Sequence, residues 1–280
     1  MSIANEELAT LARRVLLEDA PEGDPTSELV VPATASCEAE LRAKERGVLA
    51  GTAIADAVFT VAAEQDGVSV ELNWKLGDGA AVEPGDLVAV VRGATRSVLR
   101  AERPAINFLA HLSGVATLTR RFVDAAAPAA VLCTRKTTPG LRELERRAVA
   151  AGGGRLHRGS LSEAILVKDN HVRAAGGVGE AVRRARAGRA RVEVEVESLE
   201  QLEEAIAAGA DRILLDNPTP ELVREAVARV ADPSRLEVSG GVTLENIRTY
   251  VDAGARVVSV GRLTHSAPAL DLSLEIVDAS

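Results

Sequence analysis

Residues 165–172 read Ile-Leu-Val-Lys-Asp-Asn-His-Val, so an apolar run that suits a core strand passes directly into Lys168, Asp169, Asn170 and His171. Such groups are costly to bury and able to do chemistry, and their place at a strand end asks for a use. The pattern repeats. Cys-Thr-Arg-Lys ends an apolar run in Arg135 and Lys136, and Leu-His-Arg-Gly-Ser ends one in His157, Arg158 and Ser160. Val-Glu-Val-Glu-Val-Glu carries Glu193, Glu195 and Glu197, and Leu-Leu-Asp-Asn carries Asp216 and Asn217. Glu-Val-Ser-Gly-Gly supplies Ser239, Gly240 and Gly241, and Val-Gly-Arg-Leu-Thr-His supplies Gly261, Arg262, Thr264 and His265.

Three kinds of chemistry are on offer. Arg135, Lys136, Arg158, Lys168 and Arg262 are five cations: arginine suits bidentate recognition of a carboxylate, and lysine supplies a point charge. Glu195 and Asp216 are separated acids that could hold a magnesium ion or face a developing cation. The glycines around Ser239 and Gly261 can expose backbone N–H groups to a phosphate. Carboxylate, phosphate and magnesium together suggest a phosphorylated sugar meeting a small polycarboxylate. No Ser-His-Asp arrangement or Cys-x-x-Cys pair competes.

Each group alone has a plainer reading. A cation after a strand is usually a solvated loop residue, a strand glutamate a ladder charge, and Ser-Gly-Gly a turn. His111, in Leu-Ala-His-Leu-Ser-Gly, reads as a satisfied core or interface histidine. The weight lies in seven consecutive run ends that are polar while their starts are bland.

The elements that must position these groups follow a rhythm. From about Val131, short apolar runs alternate with helical stretches such as Leu-Glu-Gln-Leu-Glu-Glu-Ala-Ile, which predicts a parallel α/β architecture. In a parallel barrel every carboxyl end meets on one face, whereas an open sheet gathers ligands at one switch point. Polar residues after every run favour a barrel of seven strands, Gly-Gly-Arg-Leu-His-Arg supplying the second. Upstream, residues 4–20 have helical spacing through Leu8, Leu11 and Leu16, and residues 36–93 read as strand-rich with turns at Gly-Asp-Gly and Pro-Gly-Asp. Residues 95–126 read as a helix broken near Pro104.

Composition sets the bounds. The 280 residues are 46% hydrophobic and 26% charged, ordinary for a globular chain, but aromatics are 2%, so Ala, Val, Leu and Ile must build the core. A net charge of -8 argues against nucleic acid, and an anionic substrate would need a local basic cluster. Cys37 and Cys133 are too far apart for a metal-type pair and too few for a disulfide framework, which fits a reducing cytoplasm. No stretch approaches the roughly 20 apolar residues of a membrane span, and the acidic start is unlike a secretory leader.

Several motifs in order resemble the quinolinate phosphoribosyltransferase family, also called carboxylating nicotinate-nucleotide diphosphorylase. They are Glu-Asp-Ala-Pro-Glu-Gly-Asp, Ala-Glu-Arg-Pro-Ala, Thr-Arg-Lys-Thr-Thr-Pro-Gly-Leu-Arg, Leu-Val-Lys-Asp-Asn-His, Val-Glu-Val-Glu-Val-Glu-Ser, Leu-Leu-Asp-Asn and Val-Ser-Gly-Gly. The resemblance implies an N-terminal α/β sandwich (1–113, completed by the tail 270–280) and an incomplete α/β barrel (114–269) of the type II phosphoribosyltransferase kind. It implies transfer of phosphoribosyl from phosphoribosyl pyrophosphate to quinolinate, with magnesium and loss of carbon dioxide, giving nicotinate mononucleotide and pyrophosphate for NAD biosynthesis. Carried over by motif, Arg135, Lys136, His157, Arg158 and Lys168 would hold quinolinate and the pyrophosphate-bearing substrate. Arg103 would reach in from the neighbouring subunit of a homodimer. Glu195 and Asp216 would face the ribose and magnesium, with Lys136 and Lys168 beside them as catalytic cations. Ser239, Gly240, Gly241, Gly261 and Arg262 would meet the 5′-phosphate.

Four positions depart from the family's usual residues: Cys133 for Asp, Leu156 for Asn, Ser160 for Gly, and Arg262 for a small residue. All four are expected beside the pyridine and phosphate sites. They leave open a paralogue acting on another pyridine or azaheterocyclic carboxylate, and a scaffold that keeps the fold without turnover.

Overall fold

A computed structural model describes residues 5–188 and 190–280. In chain order the elements are α1 (Asn5–Asp19), α2 (Pro25–Val30), β1 (Ser36–Ala43), β2 (Gly47–Val48), α3 (Thr52–Asp66), β3 (Val70–Trp74), β4 (Ala81–Val82), β5 (Leu87–Ala94) and α4 (Thr95–Ala126). There follow β6 (Ala130–Leu132), α5 (Arg142–Ala151), β7 (Ile165–Val167), α6 (Asp169–Ala175), α7 (Val178–Ala185), β8 (Val192–Val196), α8 (Leu199–Ala207) and β9 (Arg212–Asp216). The chain ends with α9 (Pro220–Arg229), β10 (Leu236–Ser239), α10 (Ile247–Asp252), β11 (Val257–Ser259), α11 (Arg262–His265) and β12 (Leu272–Ala279). Two compact units result: 1–118 with 143–152 and 267–280, and 119–142 with 153–266.

The first unit is built on an antiparallel sheet in the order β12-β1-β5-β3. β1 alternates as its period-two sequence requires, burying Cys37, Ala39, Leu41 and Ala43. The chain's last strand, β12, covers one edge of β1. Helix α1 forms over the predicted stretch and buries Leu8, Ala12 and Leu16, one stripe at four-residue spacing, while Leu11 is half-buried.

Two expectations fail here. The strand-rich stretch contains a 15-residue helix, α3, which lies against α1 and β3. It buries Ile54, Val58, Phe59 and Val61 on several sides, so it lacks the amphipathic period that marks a surface helix. Helix α4 runs unbroken through Pro104. Proline removes one N–H from the ladder, but Ala101, Ala105, Leu109 and Leu112 are buried on both sides of it and hold the helix together. His111 is satisfied as expected, its Nε2 lying 2.8 Å from Oε1 of the buried Glu145.

The second unit is a six-stranded, wholly parallel sheet in the order β6-β11-β10-β9-β8-β7. The first strand lies beside the last, which is a barrel opened at one seam. Helices between the strands cover one face, and β8 sets Val192, Val194 and Val196 against it, each at most 1% exposed. Burying one such valine contributes about 1.5–3 kcal/mol. Gly-Gly-Arg-Leu-His-Arg forms no seventh strand: it makes a single parallel bridge, Leu132 to Arg155, on the outer side of β6. Its glycines and charged residues leave too short an apolar run to extend the ladder. The seam lies between this segment and β7, where Arg158 Nη1 donates to the Ala164 carbonyl at 2.8 Å.

Candidate active site

The carboxyl ends of the second unit's strands surround a cavity of about 550 Å³. The sheet's inner face leads into it by parity. On β8 Glu193 and Glu195 point away from the buried valines, and the same register sets Leu214 and Asp216 on β9 and Glu237 and Ser239 on β10. The structure brings together Arg135, Lys136, His157, Arg158, Lys168, Glu195, Asp216, Ser239, Gly240, Gly241, Gly261 and Arg262 on this lining. Arg103 lies elsewhere, on α4 of the first unit, with its side chain 64% exposed and a long ion pair to Glu102 at 3.8 Å.

Lys168 is the member of the Lys-Asp-Asn-His run that lines the cavity. Its ammonium pairs with Glu195 Oε2, and that carboxylate is largely buried. The following residues serve the backbone. Asp169 opens α6, where an acid complements the helix dipole, and His171 Nδ1 accepts the Lys168 N–H at 2.9 Å. That bond caps the helix and fixes where the lysine departs.

Asp216 is held by its neighbour, with Asn217 Nδ2 donating to Asp216 Oδ2 at 2.9 Å. Asn217 takes a left-handed φ of 48°, and its N–H donates to the Ser239 carbonyl at 2.8 Å. The Ser-Gly-Gly turn packs on this amide: Gly240 has φ 87°, and a Cβ there would lie 2.5 Å from Asn217 Oδ1. Gly261 makes room for a lysine, since a Cβ there would lie 3.1 Å from Lys136 Cδ. Thr264 Oγ1 donates to the Lys136 carbonyl at 2.6 Å and ties α11 to that loop.

The cations are arranged to attract anions. Arg135 and Arg158 each bury an Nε without a protein hydrogen-bond partner. Burial and the nearby Arg135 charge both push Arg158 below the ordinary arginine value, although a guanidinium stays charged in proteins. A carboxylate or phosphate between them would relieve both strains. Arg142, at the end of the Thr-Pro-Gly-Leu-Arg motif, braces their loops by donating to Thr137 Oγ1 at 3.0 Å and to the Gly159 carbonyl at 3.2 Å.

Of the four departures, Arg262 lines the cavity and the other three do not. Cys133 is fully buried, one residue out of phase with the inward-facing Thr134. Leu156 is out of phase with His157 and 45% exposed, and Ser160 is exposed. The expectation that all four line the substrate sites is therefore corrected: Cys133 is packed in the core, and Leu156 and Ser160 face solvent. Sequence reasoning missed Glu237 and Arg212, whose signal was their inward parity with Ser239 and Asp216.

Comparison with known proteins shows the family. The family model for the quinolinate phosphoribosyl transferase C-terminal domain matches residues 115–275, and that for the N-terminal domain matches residues 24–113. A Bacillus subtilis protein named as a probable carboxylating nicotinate-nucleotide pyrophosphorylase is 42% identical, over 96% of this chain and 93% of its own. The chloroplastic carboxylating enzyme of Arabidopsis thaliana is 38% identical over 96% of this chain and 83% of its own. The solved nicotinate-nucleotide pyrophosphorylase of Francisella tularensis superposes with a TM-score of 0.90 at 35% identity, covering 98% of each chain. With both halves of the chain matched at these identities, the chain belongs to the quinolinate phosphoribosyl transferase family.

Proposed function

We infer that the chain catalyses transfer of phosphoribosyl from phosphoribosyl pyrophosphate to the ring nitrogen of quinolinate, with loss of carbon dioxide, yielding nicotinate mononucleotide and pyrophosphate. One observation carries the reading: four cations, Arg135, Lys136, Arg158 and Lys168, line the same cavity as two acids and two glycine turns. The cations suit the carboxylates of quinolinate and the pyrophosphate. The Ser239–Gly241 turn and Gly261, beside α11, suit the 5′-phosphate, with Arg262 adding charge there.

The residues would act in turn. As pyrophosphate leaves the ribose carbon, positive charge develops there, and the preorganised Glu195 and Asp216 carboxylates oppose it. Lys136 and Lys168 meet the charge on the departing pyrophosphate. The pyridine nitrogen has a lone pair and no proton to lose, so the bond forms without a general base. When the adjacent carboxylate departs as carbon dioxide, the electron pair of the broken bond stays on the ring carbon, where the neighbouring pyridinium charge stabilises it. A proton completes the product.

Magnesium belongs to this reading. Glu195 and Asp216 end neighbouring strands, and both are hard oxygen donors on the cavity wall, which suits an ion that keeps substrate oxygens among its ligands. When bound, it would neutralise part of the pyrophosphate charge. A homodimer is also part of the proposal, with Arg103 of one copy completing the other's site. The exposure of that guanidinium supports it. A cytoplasmic location is proposed too; no described helix is long and apolar enough to cross a membrane. The absence of Cys133, Leu156 and Ser160 from the cavity lining favours quinolinate over a different acceptor. The test is pyrophosphate release with phosphoribosyl pyrophosphate and magnesium. It should require quinolinate, and equal release with nicotinate would overturn the assignment of the acceptor.

A further inference from the structure

At the cavity wall, the sheet's inner face carries a charged cluster around His157, and the roles carried over by motif assign no part to its two acids, Glu193 and Glu237. Glu237 on β10 is fully buried and Glu193 on β8 nearly so. Ser259 on β11 donates its hydroxyl to Glu237 Oε1, and Arg212 Nη2 on β9 lies 3.4 Å from Glu237 Oε2. His157 Nε2 lies 3.1 Å from Glu193 Oε2 and 3.6 Å from Glu237 Oε1. Two strands thus aim acids at one imidazole, and the two strands flanking β10 hold Glu237 in place through Ser259 and Arg212.

Stability does not call for such a cluster. Well-packed apolar residues in place of buried ions are often neutral or stabilising. What the acids reach is the ring, whose other nitrogen is engaged as well: the Arg158 N–H donates to His157 Nδ1 at 2.8 Å. An Nδ1 that accepts this bond is unprotonated, so the ring proton sits on Nε2 and faces the carboxylates. Arg158 then leaves the same peptide and crosses the seam to Ala164 at 2.8 Å. The chain of contacts runs from Ser259 and Arg212 through the acids and the imidazole to the backbone of a cavity guanidinium.

We propose that Glu237 and Glu193 are positioning residues that hold His157 in one tautomer and orientation, and that His157 thereby fixes the peptide presenting Arg158 to the cavity. The kinetic consequence rests on the phosphoribosyl-transfer reading above; the clamp on the ring does not. The Glu193 bond raises His157 above the ordinary histidine value and burial raises Glu237, while the Arg158 N–H at Nδ1 opposes a second ring proton.

Two measurements test this. In protein carrying ¹⁵N-labelled histidine, with His157 assigned by its loss in His157→Asn, the ring should show a protonated Nε2 and an unprotonated Nδ1 at neutral pH. Glu237→Leu should let the two tautomers exchange. A single unchanged tautomer in both Glu237→Leu and Glu193→Gln would overturn the proposal; Glu237→Gln serves if the leucine variant does not fold. In steady-state assays, Glu237→Gln should raise the KM for quinolinate about tenfold, the worth of one misplaced charge-assisted hydrogen bond, and change kcat much less. The same substitution in a His157→Ala background should add little, and full additivity would show that Glu237 acts apart from the ring. If the unaltered protein turns over no quinolinate, the enzymatic reading fails and the tautomer measurement still decides on the clamp.

Discussion

Gly240 and Gly241 make a matched pair of substitutions. Both have left-handed backbones, φ 87° and 59°, so alanine at either carries the same kind of strain, about 1–2 kcal/mol. Their surroundings differ. A Cβ at Gly240 would lie 2.5 Å from Asn217 Cγ and Oδ1, whereas one at Gly241 would lie 3.6 Å from Asn217 Oδ1, an ordinary contact. Gly240→Ala must therefore turn Asn217 away and break its 2.9 Å bond to Asp216. A hydrogen bond to a charged group contributes about 1.5–3 kcal/mol. If Asp216 acts on the ribose or on magnesium, kcat/KM for phosphoribosyl pyrophosphate should fall roughly ten- to hundredfold further in Gly240→Ala than in Gly241→Ala. The assay is initial-rate pyrophosphate release at varied phosphoribosyl pyrophosphate, with thermal unfolding of both variants as the control for shared strain. Indistinguishable kcat/KM values at similar stabilities would refute the link from the glycine turn through Asn217 to Asp216.

Further expectations concern other parts of the site. Glu195→Gln should lower kcat by the equivalent of about 3 kcal/mol while leaving the quinolinate KM nearly unchanged, and unaltered turnover would reduce Glu195 to a partner for Lys168. Mixing Arg103→Ala with Lys136→Ala subunits should restore activity through heterodimers with one intact site, and no recovery would remove Arg103 from the neighbouring site. Leu156→Asn should leave the quinolinate KM within about twofold, as surface substitutions do; a larger change in KM would show that Leu156 meets the substrate after all.

The site was more legible in the sequence than the elements around it. Lys136, Lys168, Glu195 and Asp216 stood out because a parallel sheet ends all its strands on one face, and polar residues recurring after run upon run pointed to that face. Helix α3 was hidden because burial on several sides erases the period that reveals an amphipathic helix. The continuity of α4 through Pro104 depends on packing that local propensity does not encode. His171 looked like a functional histidine until the backbone showed it capping α6. Glu237 was overlooked because an acid within an apolar run resembles a ladder charge; its meaning depends on which neighbouring strands share its parity. Cys133 and Leu156 drew attention as departures, yet one is packed in the core and the other faces solvent, which their residue types alone do not reveal.

The central claim is decarboxylating transfer to quinolinate, and the most direct measurement follows carbon and phosphate together. Purified protein would receive quinolinate ¹⁴C-labelled at the 2-carboxylate, phosphoribosyl pyrophosphate and magnesium. Labelled carbon dioxide, pyrophosphate and nicotinate mononucleotide should appear in equal amounts, and all three should vanish when Lys136 is replaced by alanine. Pyrophosphate formed without labelled carbon dioxide, or no product from quinolinate at substrate saturation, would contradict the account.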